Sequence, residues 1–285
     1  MAMNIVTWAE LENSTISYPV TVTIGVFDGV HFGHRELLRR AKEFNDTNPL
    51  VLTFAPNPAR IVAPASYRGD ITTIEQKLKL LQQHGIHDTV VIEFTRRFAR
   101  TSGEIFLNAM LDRLRVVRVI VGHNFRCGAG AGTDANDVLS FMVKRNIPVD
   151  IVPPVVDNGG PVSSTRVRDA VSVGDFRAVE DCLSRPYALD IRPVGVRCHD
   201  AGGFTVPRRG IRQVLPRNGL YSVEIHGCRR DTSAEEVSGP AGRRQSSLAP
   251  VESSDSIRDT IEVTDREIVG MTSWKRVDFI LFRSS

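Results

Sequence analysis

The sequence predicts an α/β fold, a doubly wound parallel sheet, followed by a smaller β domain. Short apolar segments rich in β-branched residues alternate with segments whose apolar residues recur at helical spacing, as far as about residue 186. This alternation is typical of βαβ units and therefore predicts a parallel sheet with helices on both faces. After Tyr187 the helical spacing fades, and short β-like segments replace it. We therefore predict a first domain over residues 1–186 and a second over residues 187–285.

The predicted elements of the first domain alternate in a regular order. The strands cover residues 20–27, 48–54, 89–94, 116–121 and 149–156. The helices cover residues 34–44, 73–84, 102–114, 137–145, 164–174 and 175–183. Pro56 and Pro58 are expected to interrupt regular structure, because proline fixes φ and lacks an amide hydrogen. Ligands bind beyond the carboxyl ends of parallel strands, so the loops after Val26, Phe54 and Val121 should share one binding edge.

The second domain has weaker signals. Short β-like segments at residues 219–226, 260–263 and 277–282 predict a small β structure. Residues 229–259 are rich in Ser, Gly, Arg, Glu and Pro, which predicts a long flexible loop between strands.

The composition argues against several classes of protein. The net charge of +3 over 285 residues, without a concentrated block of Lys and Arg, gives no support for a nucleic-acid partner. The 4 cysteines form no C-x-x-C pair, so we expect reduced thiols rather than a zinc site. No apolar segment approaches the length of a membrane span, and no signal-peptide pattern is visible. We expect a cytoplasmic protein without a membrane partner and leave the oligomeric state open.

Residues 25–34 (GVFDGVHFGH), here called the 25–34 loop, connect a predicted strand to a predicted helix. His31 and His34 are spaced to place both imidazoles on one face at the start of that helix. A helix start offers unpaired N–H groups and a positive dipole end, which favour a phosphate. Gly29 and Gly33 permit a tight turn and a close backbone approach. Two surface histidines, or a metal pair without a third ligand, are the alternatives to a phosphate site.

The 25–34 loop resembles the HxGH signature of the nucleotidyltransferase superfamily. Its form GxFDGxHxGH resembles the FAD synthetase module of bacterial riboflavin kinase/FAD synthetases. Other motifs of that family have similar segments here, in order, at residues 51–58, 71–81, 121–128, 163–168 and 184–187. The resemblance implies a Rossmann-like nucleotidyltransferase domain followed by a riboflavin kinase barrel. It also implies transfer of AMP from ATP to FMN, giving FAD and pyrophosphate, with Mg²⁺ accompanying ATP.

The resemblance assigns roles to the matching residues. The implied catalytic residues are His31, His34, Ser164, Thr165 and Arg168. The implied nucleotide-binding residues are Gly25, Phe27, Asp28, Gly29, Gly33 and Ser163. The implied flavin-binding residues are Phe54, Pro56, Asn57, Pro58 and Asn124. We expect no direct protein ligand to a metal, and Asp28 is left open between a metal-shell role and a loop-ordering role.

The sequence departs from the family pattern in both domains. Ala55 stands where the family usually has Asp, Asn57 where it has His, and Pro161 where it commonly has Arg. These changes leave open reduced affinity, altered substrate choice or a weak enzyme. In the second domain, residues 198–210 lack the family's PTAN segment, and Glu224 lies in a setting unlike that of the catalytic glutamate. We therefore expect a degenerate β-barrel without riboflavin kinase activity.

Two alternative functions stay open at this point. One is another HxGH nucleotidyltransferase with a different phosphate acceptor, such as a cytidylyltransferase. The other is a non-catalytic remnant that binds a flavin or a nucleotide. The intact set of implied catalytic residues counts against the remnant.

Overall fold

The computed structural model describes residues 3–12, 14–157, 160–199, 202–229, 255–272 and 274–284. The chain divides into two compact units. The first comprises Met1–Asp169 with Cys182–Ser184, and the second Ala170–Asp181 with Arg185–Ser285. The functional boundary that the sequence suggests between residues 186 and 187 stays a prediction. Among the described residues, no helix is both long and apolar enough to cross a membrane.

The helices and strands up to residue 183 carry the labels used below. The strands are β1 (Asn4–Thr7), β2 (Ile16–Ile24), β3 (Asn48–Ala55), β4 (Asp88–Glu93), β5 (Leu114–Gly122), β6 (Arg126–Cys127), β7 (Thr133–Asp134), β8 (Val149–Val152), β9 (Val156–Asp157) and β10 (Gly160–Pro161). The helices are α1 (Phe32–Ala41), α2 (Pro58–Val62), α3 (Ile74–Gln83), α4 (Gly103–Arg113), α5 (Ala135–Val143), α6 (Ser164–Val173) and α7 (Phe176–Leu183).

The first unit is built on a six-stranded parallel sheet in the order β1-β4-β3-β2-β5-β8. Successive residues of a strand point to opposite faces, and β3 follows this rule. Leu50 and Leu52 pack into one apolar cluster with residues of α4 and α5, whereas Val51 packs with residues of α1 and α3. Apolar clusters on both faces confirm the predicted doubly wound α/β fold.

Several predicted boundaries in the first unit are wrong. The strand predicted over residues 20–27 runs from Ile16 to Ile24, because Phe27 adopts a left-handed φ of 51° that no strand accommodates. The last strand ends at Val152 instead of residue 156, since two prolines follow directly.

The expectation that both prolines interrupt regular structure is wrong for Pro58, which is the first residue of α2. The Asn57 side chain accepts a hydrogen bond from Ala59 N at 3.1 Å and thereby caps this helix. Proline is tolerated at the first helical position because its missing N–H would have no partner there.

The second unit carries a seven-stranded antiparallel sheet. Its strands are β11 (Tyr187–Asp190), β12 (Arg197–Cys198), β13 (Phe204–Pro207), β14 (Gly219–Arg229), β15 (Asp255–Val263), β16 (Glu267–Gly270) and β17 (Trp274–Phe282). Their order is β11-β17-β14-β15-β16-β13-β12, and the curled sheet confirms a smaller barrel-like β domain.

The loop predicted over residues 229–259 is wrong at both ends. Arg229 ends β14 and residues 255–259 begin β15, because the pairing of these strands continues as far as Gly227 opposite Asp255. The rest of the predicted loop, residues 230–254, lies outside the described residues.

Candidate active site

The 25–34 loop leaves the carboxyl end of β2 with an unusual backbone. Phe27 and Val30 both adopt left-handed φ values, 51° and 41°, although both are buried and neither is glycine. Gly29 has a φ of 83°, and a Cβ there would lie 2.9 Å from Cγ2 of Ile71. Only glycine therefore fits position 29, both for its backbone conformation and for its distance from the neighbouring chain.

The two histidines of the loop lie face to face. His31 caps the amino end of α1, where its Nδ1 accepts a hydrogen bond from His34 N at 3.4 Å. The two imidazole rings are stacked, with centroids 3.7 Å apart and planes 19° apart. A Cβ on Gly33 would come within 3.2 Å of the His31 ring, so glycine leaves room for this stack.

The electrostatic surroundings keep His34 neutral near pH 7. Burial lowers the pKa of His34 well below its usual range, and the neighbouring His31, Lys77 and Arg168 lower it further. Within the described part of the chain, Nδ1 of His34 is buried and has no hydrogen-bond partner. A neutral imidazole can donate one N–H to an anionic ligand without repelling the cations around it.

The amino end of α6 meets the 25–34 loop. The helix begins at Ser164, as the sequence predicts, and Ser163 accepts a hydrogen bond from Arg166 N at 3.2 Å. The Ser164 hydroxyl donates to the carbonyl oxygen of Asp28 at 3.0 Å. Thr165 is exposed and also faces the cavity described below. The positive end of a second helix thus lies beside the histidine pair.

Asp28 points away from the histidines into the protein. Its carboxylate accepts hydrogen bonds from Ile71 N and Thr72 N, both at 3.0 Å, and from the Thr72 hydroxyl at 3.2 Å. Arg168 donates one guanidinium N–H to the same carboxylate and another to the carbonyl oxygen of Gly69, the latter at 2.9 Å. These contacts favour the loop-ordering role over the metal-shell role. Among the described residues no group of His, Cys, Asp and Glu is arranged to hold a metal ion.

Behind Asp28 lies a buried polar group that the sequence analysis missed. Lys77, on α3, donates to the Phe54 carbonyl oxygen at 3.0 Å and to the Thr53 hydroxyl at 3.3 Å. The Thr53 hydroxyl in turn donates to the Val26 carbonyl oxygen at 3.0 Å, which links the ends of β2 and β3. Burial lowers the pKa of Lys77, whereas burial and the charge of Asp28 raise the pKa of Asp70.

A sequence signal for Lys77 existed. It lies between Ile74 and Leu81 at helical spacing, on the face of α3 that the apolar residues mark as buried. A lysine on such a face needs internal partners, since burying an unpaired charge is costly.

A cavity of about 750 Å³ opens in front of the histidines. The predicted site residues that line it are Gly25, His31, Gly33, His34, Phe54, Pro58, Asn124, Ser163, Ser164 and Thr165. The predicted site residues that do not line it are Phe27, Asp28, Gly29, Pro56, Asn57 and Arg168. The structure therefore brings together both histidines and the start of α6, and it turns Asp28 and Arg168 inward.

The walls of the cavity combine aromatic rings with side chains that carry N–H donors. Phenylalanines 54, 94, 98, 106 and 125 line it, and adjacent rings in the first four pack at centroid distances of 5.6 to 5.9 Å. His123 and Arg126 also line it, whereas no Asp or Glu of the described chain does. Such a cavity suits a ligand that has a flat apolar part and a negatively charged part.

Comparisons with known proteins agree with this geometry. The family model described as FAD synthetase matches residues 13–166. A bifunctional riboflavin kinase/FMN adenylyltransferase from Escherichia coli (strain K12) is 33% identical over 214 residues, covering 72% of this chain and 68% of the relative. An FAD synthetase from Listeria monocytogenes is 30% identical over 176 residues, covering 61% of this chain and 72% of the relative.

The fold also has a solved counterpart. The crystal structure of a protein described as a macrolide-efflux protein from Streptococcus pneumoniae superimposes with a TM-score of 0.75. It covers 99% of this chain and 98% of its own, at 19% sequence identity, which supports the fold alone. The family match spans more than half of the chain and includes the 25–34 loop. The chain therefore belongs to the FAD synthetase family of nucleotidyltransferase enzymes.

Proposed function

We propose that the chain transfers AMP from ATP to FMN, giving FAD and pyrophosphate. The observation that carries this proposal is the single cavity lined both by the stacked histidines with the start of α6 and by a wall of phenylalanines. The first set suits phosphates, and the second suits a flat aromatic ring system. The names of the relatives from E. coli and L. monocytogenes support the same reaction.

In the proposed reaction an oxygen of the FMN phosphate attacks the α-phosphorus of ATP. A new O–P bond forms, the bond to the β-phosphate oxygen breaks, and pyrophosphate leaves with the additional negative charge. His31 and His34 would donate hydrogen bonds to the phosphate oxygens, and the N–H groups at the start of α6 would bind the charge that develops. The cavity would hold both substrates in line, so positioning contributes much of the rate enhancement.

Arg168 has a revised place in this proposal. The family resemblance implies a catalytic role for Arg168, but its guanidinium is engaged by Asp28 and Gly69. We propose that it acts first by anchoring Asp28, and its contact with phosphates stays a prediction.

The site fits Mg²⁺ that arrives with ATP. The cavity has no carboxylate among the described residues, and Asp28 already accepts several internal hydrogen bonds. Mg²⁺ commonly keeps several waters and binds through substrate phosphates, so it needs few protein ligands. When bound, it would neutralise charge on the phosphate oxygens.

We propose that residues 1–186 carry this transferase activity and that residues 187–285 form a degenerate domain without riboflavin kinase activity. Glu224, in the strand that resembles a catalytic segment, pairs with Arg283 and His226. The Arg283 guanidinium lowers the pKa of Glu224, so its carboxylate is a weak base. Formation of FMN from riboflavin and ATP by the purified chain would overturn this part of the proposal.

The test is to incubate the purified protein with ATP, Mg²⁺ and either FMN or riboflavin, and to separate the flavins by chromatography. We expect FAD from FMN. His31→Ala should lower kcat by about 100- to 1000-fold, the usual cost of losing a group that stabilises transition-state charge. His199→Ala is the matched control, because His199 is exposed in the second unit and does not line the cavity. It should leave kcat within about twofold, consistent with a side chain that contributes no transition-state contact.

The same assay separates the alternatives. Pyrophosphate release with CTP or with a different phosphate acceptor, but not with FMN, would support another nucleotidyltransferase. Flavin binding by fluorescence quenching without any turnover would support the non-catalytic remnant.

A further inference from the structure

Arg35 connects the 25–34 loop to the carboxyl end of α7. It lies on α1, directly after His34. Its Nε donates to the Val30 carbonyl oxygen at 3.3 Å, and its Nη1 donates to the Ser184 hydroxyl at 3.0 Å. Its Nη2 donates to the Leu183 carbonyl oxygen. One guanidinium therefore bridges two chain segments that are far apart in the sequence, both within the first compact unit.

Val30 is the strained end of this bridge. Its φ of 41° is one that β-branched residues rarely adopt, and its side chain is fully buried. Such a strained conformation persists only where the surrounding contacts hold it. Two hydrogen bonds do so here, one from Val30 N to the Phe27 carbonyl oxygen at 3.3 Å and one from Arg35. His31 follows Val30 directly, so the backbone at Val30 sets the direction of the histidine pair.

The other end of the bridge is the carboxyl end of α7. Leu183 is the last residue of the helix, and Ser184 adopts a left-handed φ of 50°. Carbonyl oxygens at a helix end lack partners within the helix and carry partial negative charge, which a guanidinium satisfies. The Arg35 guanidinium also lies 5.0 Å from the centroid of the Phe32 ring, a further contact that restricts its position.

We propose that Arg35 is a positioning residue that holds the strained Val30 backbone and thereby aligns His31 and His34 with the phosphate oxygens as charge develops in the transition state. This inference rests on the proposed function, which supplies the reaction in which the alignment matters. The contacts of Arg35 are with the loop and the end of α7, so its effect on substrates is indirect.

The same helix provides a matched control. Arg39 is one turn further along α1, and its ion pairs are with Glu36 of the same helix and with Glu43 just after the helix end. Its side chain is 53% exposed, and its ion pairs lie away from the 25–34 loop. Substituting it changes the charge of α1 by the same amount without disturbing the bridge.

The experiment compares Arg35→Gln, Arg35→Lys and Arg39→Gln by steady-state kinetics. We expect Arg35→Gln to lower kcat by about 10- to 100-fold, the range expected when catalytic groups move by a fraction of an ångström to one ångström. The KM for ATP should change by less than about threefold, because the lost alignment acts mainly in the transition state. Arg35→Lys should recover part of kcat, since an ammonium keeps the charge without the planar fork of donors. A wild-type kcat for Arg35→Gln, or a loss equal to that of Arg39→Gln, would overturn the proposal.

A double variant tests the backbone strain at Val30 directly. Glycine adopts a positive φ without strain, so Val30→Gly added to Arg35→Gln should raise kcat at least about fivefold over Arg35→Gln alone. Failure of this rescue in a folded double variant would contradict the role of Val30. Thermal melting identifies a double variant that does not fold, because losing the Val30 side chain leaves a cavity.

Hydrogen exchange gives a readout that needs neither the rescue nor FAD formation. In Arg35→Gln, amides of residues 25–34 should exchange faster than in Arg39→Gln, and equal protection would overturn the inference. A wild type that makes no FAD but shows this difference would overturn the proposed function and leave the bridge intact. If the wild type makes FAD and Arg35→Gln is fully active, the proposed role of Arg35 is overturned and the proposed function stands.

Discussion

The two sides of the 25–34 loop differ in burial and in charge. On the cavity side, His31 and His34 face a space that no Asp or Glu of the described chain lines. On the inner side, the carboxylates of Asp28 and Asp70 interact with the cations Arg168 and Lys77. The loop thus separates a carboxylate-free cavity from a buried ionic cluster, here defined as Asp28, Asp70, Lys77 and Arg168.

The difference shows how the fold keeps carboxylates away from the cavity side of the loop, where we propose that phosphates bind. A carboxylate in the cavity would repel an anionic ligand, whereas the carboxylate of Asp28 faces inward and accepts backbone N–H groups. The cations of the cluster lower the pKa of His34 across the loop. Burial is the main cause of the lowered pKa of His34, and these cations add to it, so the inner side sets the shape of the loop and contributes to the protonation state of the histidine on the other side.

Removing Asp28 should have the largest effect on this arrangement. Asp28→Ala removes the carboxylate that pairs with the Arg168 guanidinium and that accepts hydrogen bonds from Ile71 N and Thr72 N. Breaking one partner of a buried ion pair costs about 3–5 kcal/mol, so we expect the free energy of unfolding to fall by that amount. Chemical denaturation measures it.

Asp169→Ala is the control for Asp28→Ala. Asp169 also pairs with an arginine, Arg68, but its side chain is 57% exposed. Exposed ion pairs contribute about 0–1 kcal/mol, so this variant should unfold close to the wild type. Equal losses in the two variants would contradict the contrast between the inner cluster and the surface.

Replacing Lys77 should have a smaller effect. Lys77→Met removes the donor to the Phe54 carbonyl oxygen and the Thr53 hydroxyl but keeps the apolar stem of a similar shape. Losing two buried hydrogen bonds to a charged group, offset by relief of desolvation, should cost about 2 kcal/mol. Lys79→Met, at an exposed position of the same helix, should cost less than about 0.5 kcal/mol in the same unfolding measurement. If Lys77→Met is as stable as the wild type, Lys77 does not contribute to the free energy of unfolding as proposed here.

The central elements of the fold were predictable because they bury apolar residues on both faces. The first strand, β1, was missed since its 4 residues are mostly exposed and contain no apolar alternation. The end of β2 was misjudged because the left-handed φ of Phe27 depends on tertiary contacts. Those contacts include Ile71 against Gly29 and the hydrogen bonds that Ile71 N and Thr72 N donate to Asp28, which no local pattern reveals.

The candidate site was predictable to the extent that it follows a contiguous motif. The spacing of His31 and His34 predicts that both imidazoles lie on one face at the start of a helix, and the structure brings their rings into contact. The orientation of Asp28 and Arg168 was not predictable, because both directions satisfy the same motif and only the packing of residues 69–72 decides between them. Arg35 carried no sequence signal, since its partners Leu183 and Ser184 are remote in the chain.

The smallest predicted effect concerns the acid side of the stability profile and probes the influence of the ionic cluster on His34. Since the pKa of His34 is well below the ordinary 6.5 in the folded protein, the unfolded chain takes up a proton that the folded protein does not. Stability is therefore fully present above pH 6.5 and falls as the pH decreases below it. Between pH 7.5 and 5.5 the wild type should lose about 1 kcal/mol more than His34→Gln, in which this group cannot titrate.

Denaturant unfolding at both pH values measures this difference, because the other titrating groups are common to the two proteins. Lys77→Met should reduce the acid-side loss, since removing one positive charge raises the pKa of His34 towards its ordinary value. Parallel pH profiles for the wild type and His34→Gln would mean that the pKa of His34 is close to its ordinary value. The ionic cluster would then have no effect on the protonation of His34. An unchanged profile in Lys77→Met, alongside a normal difference for His34→Gln, would assign the shift to burial alone.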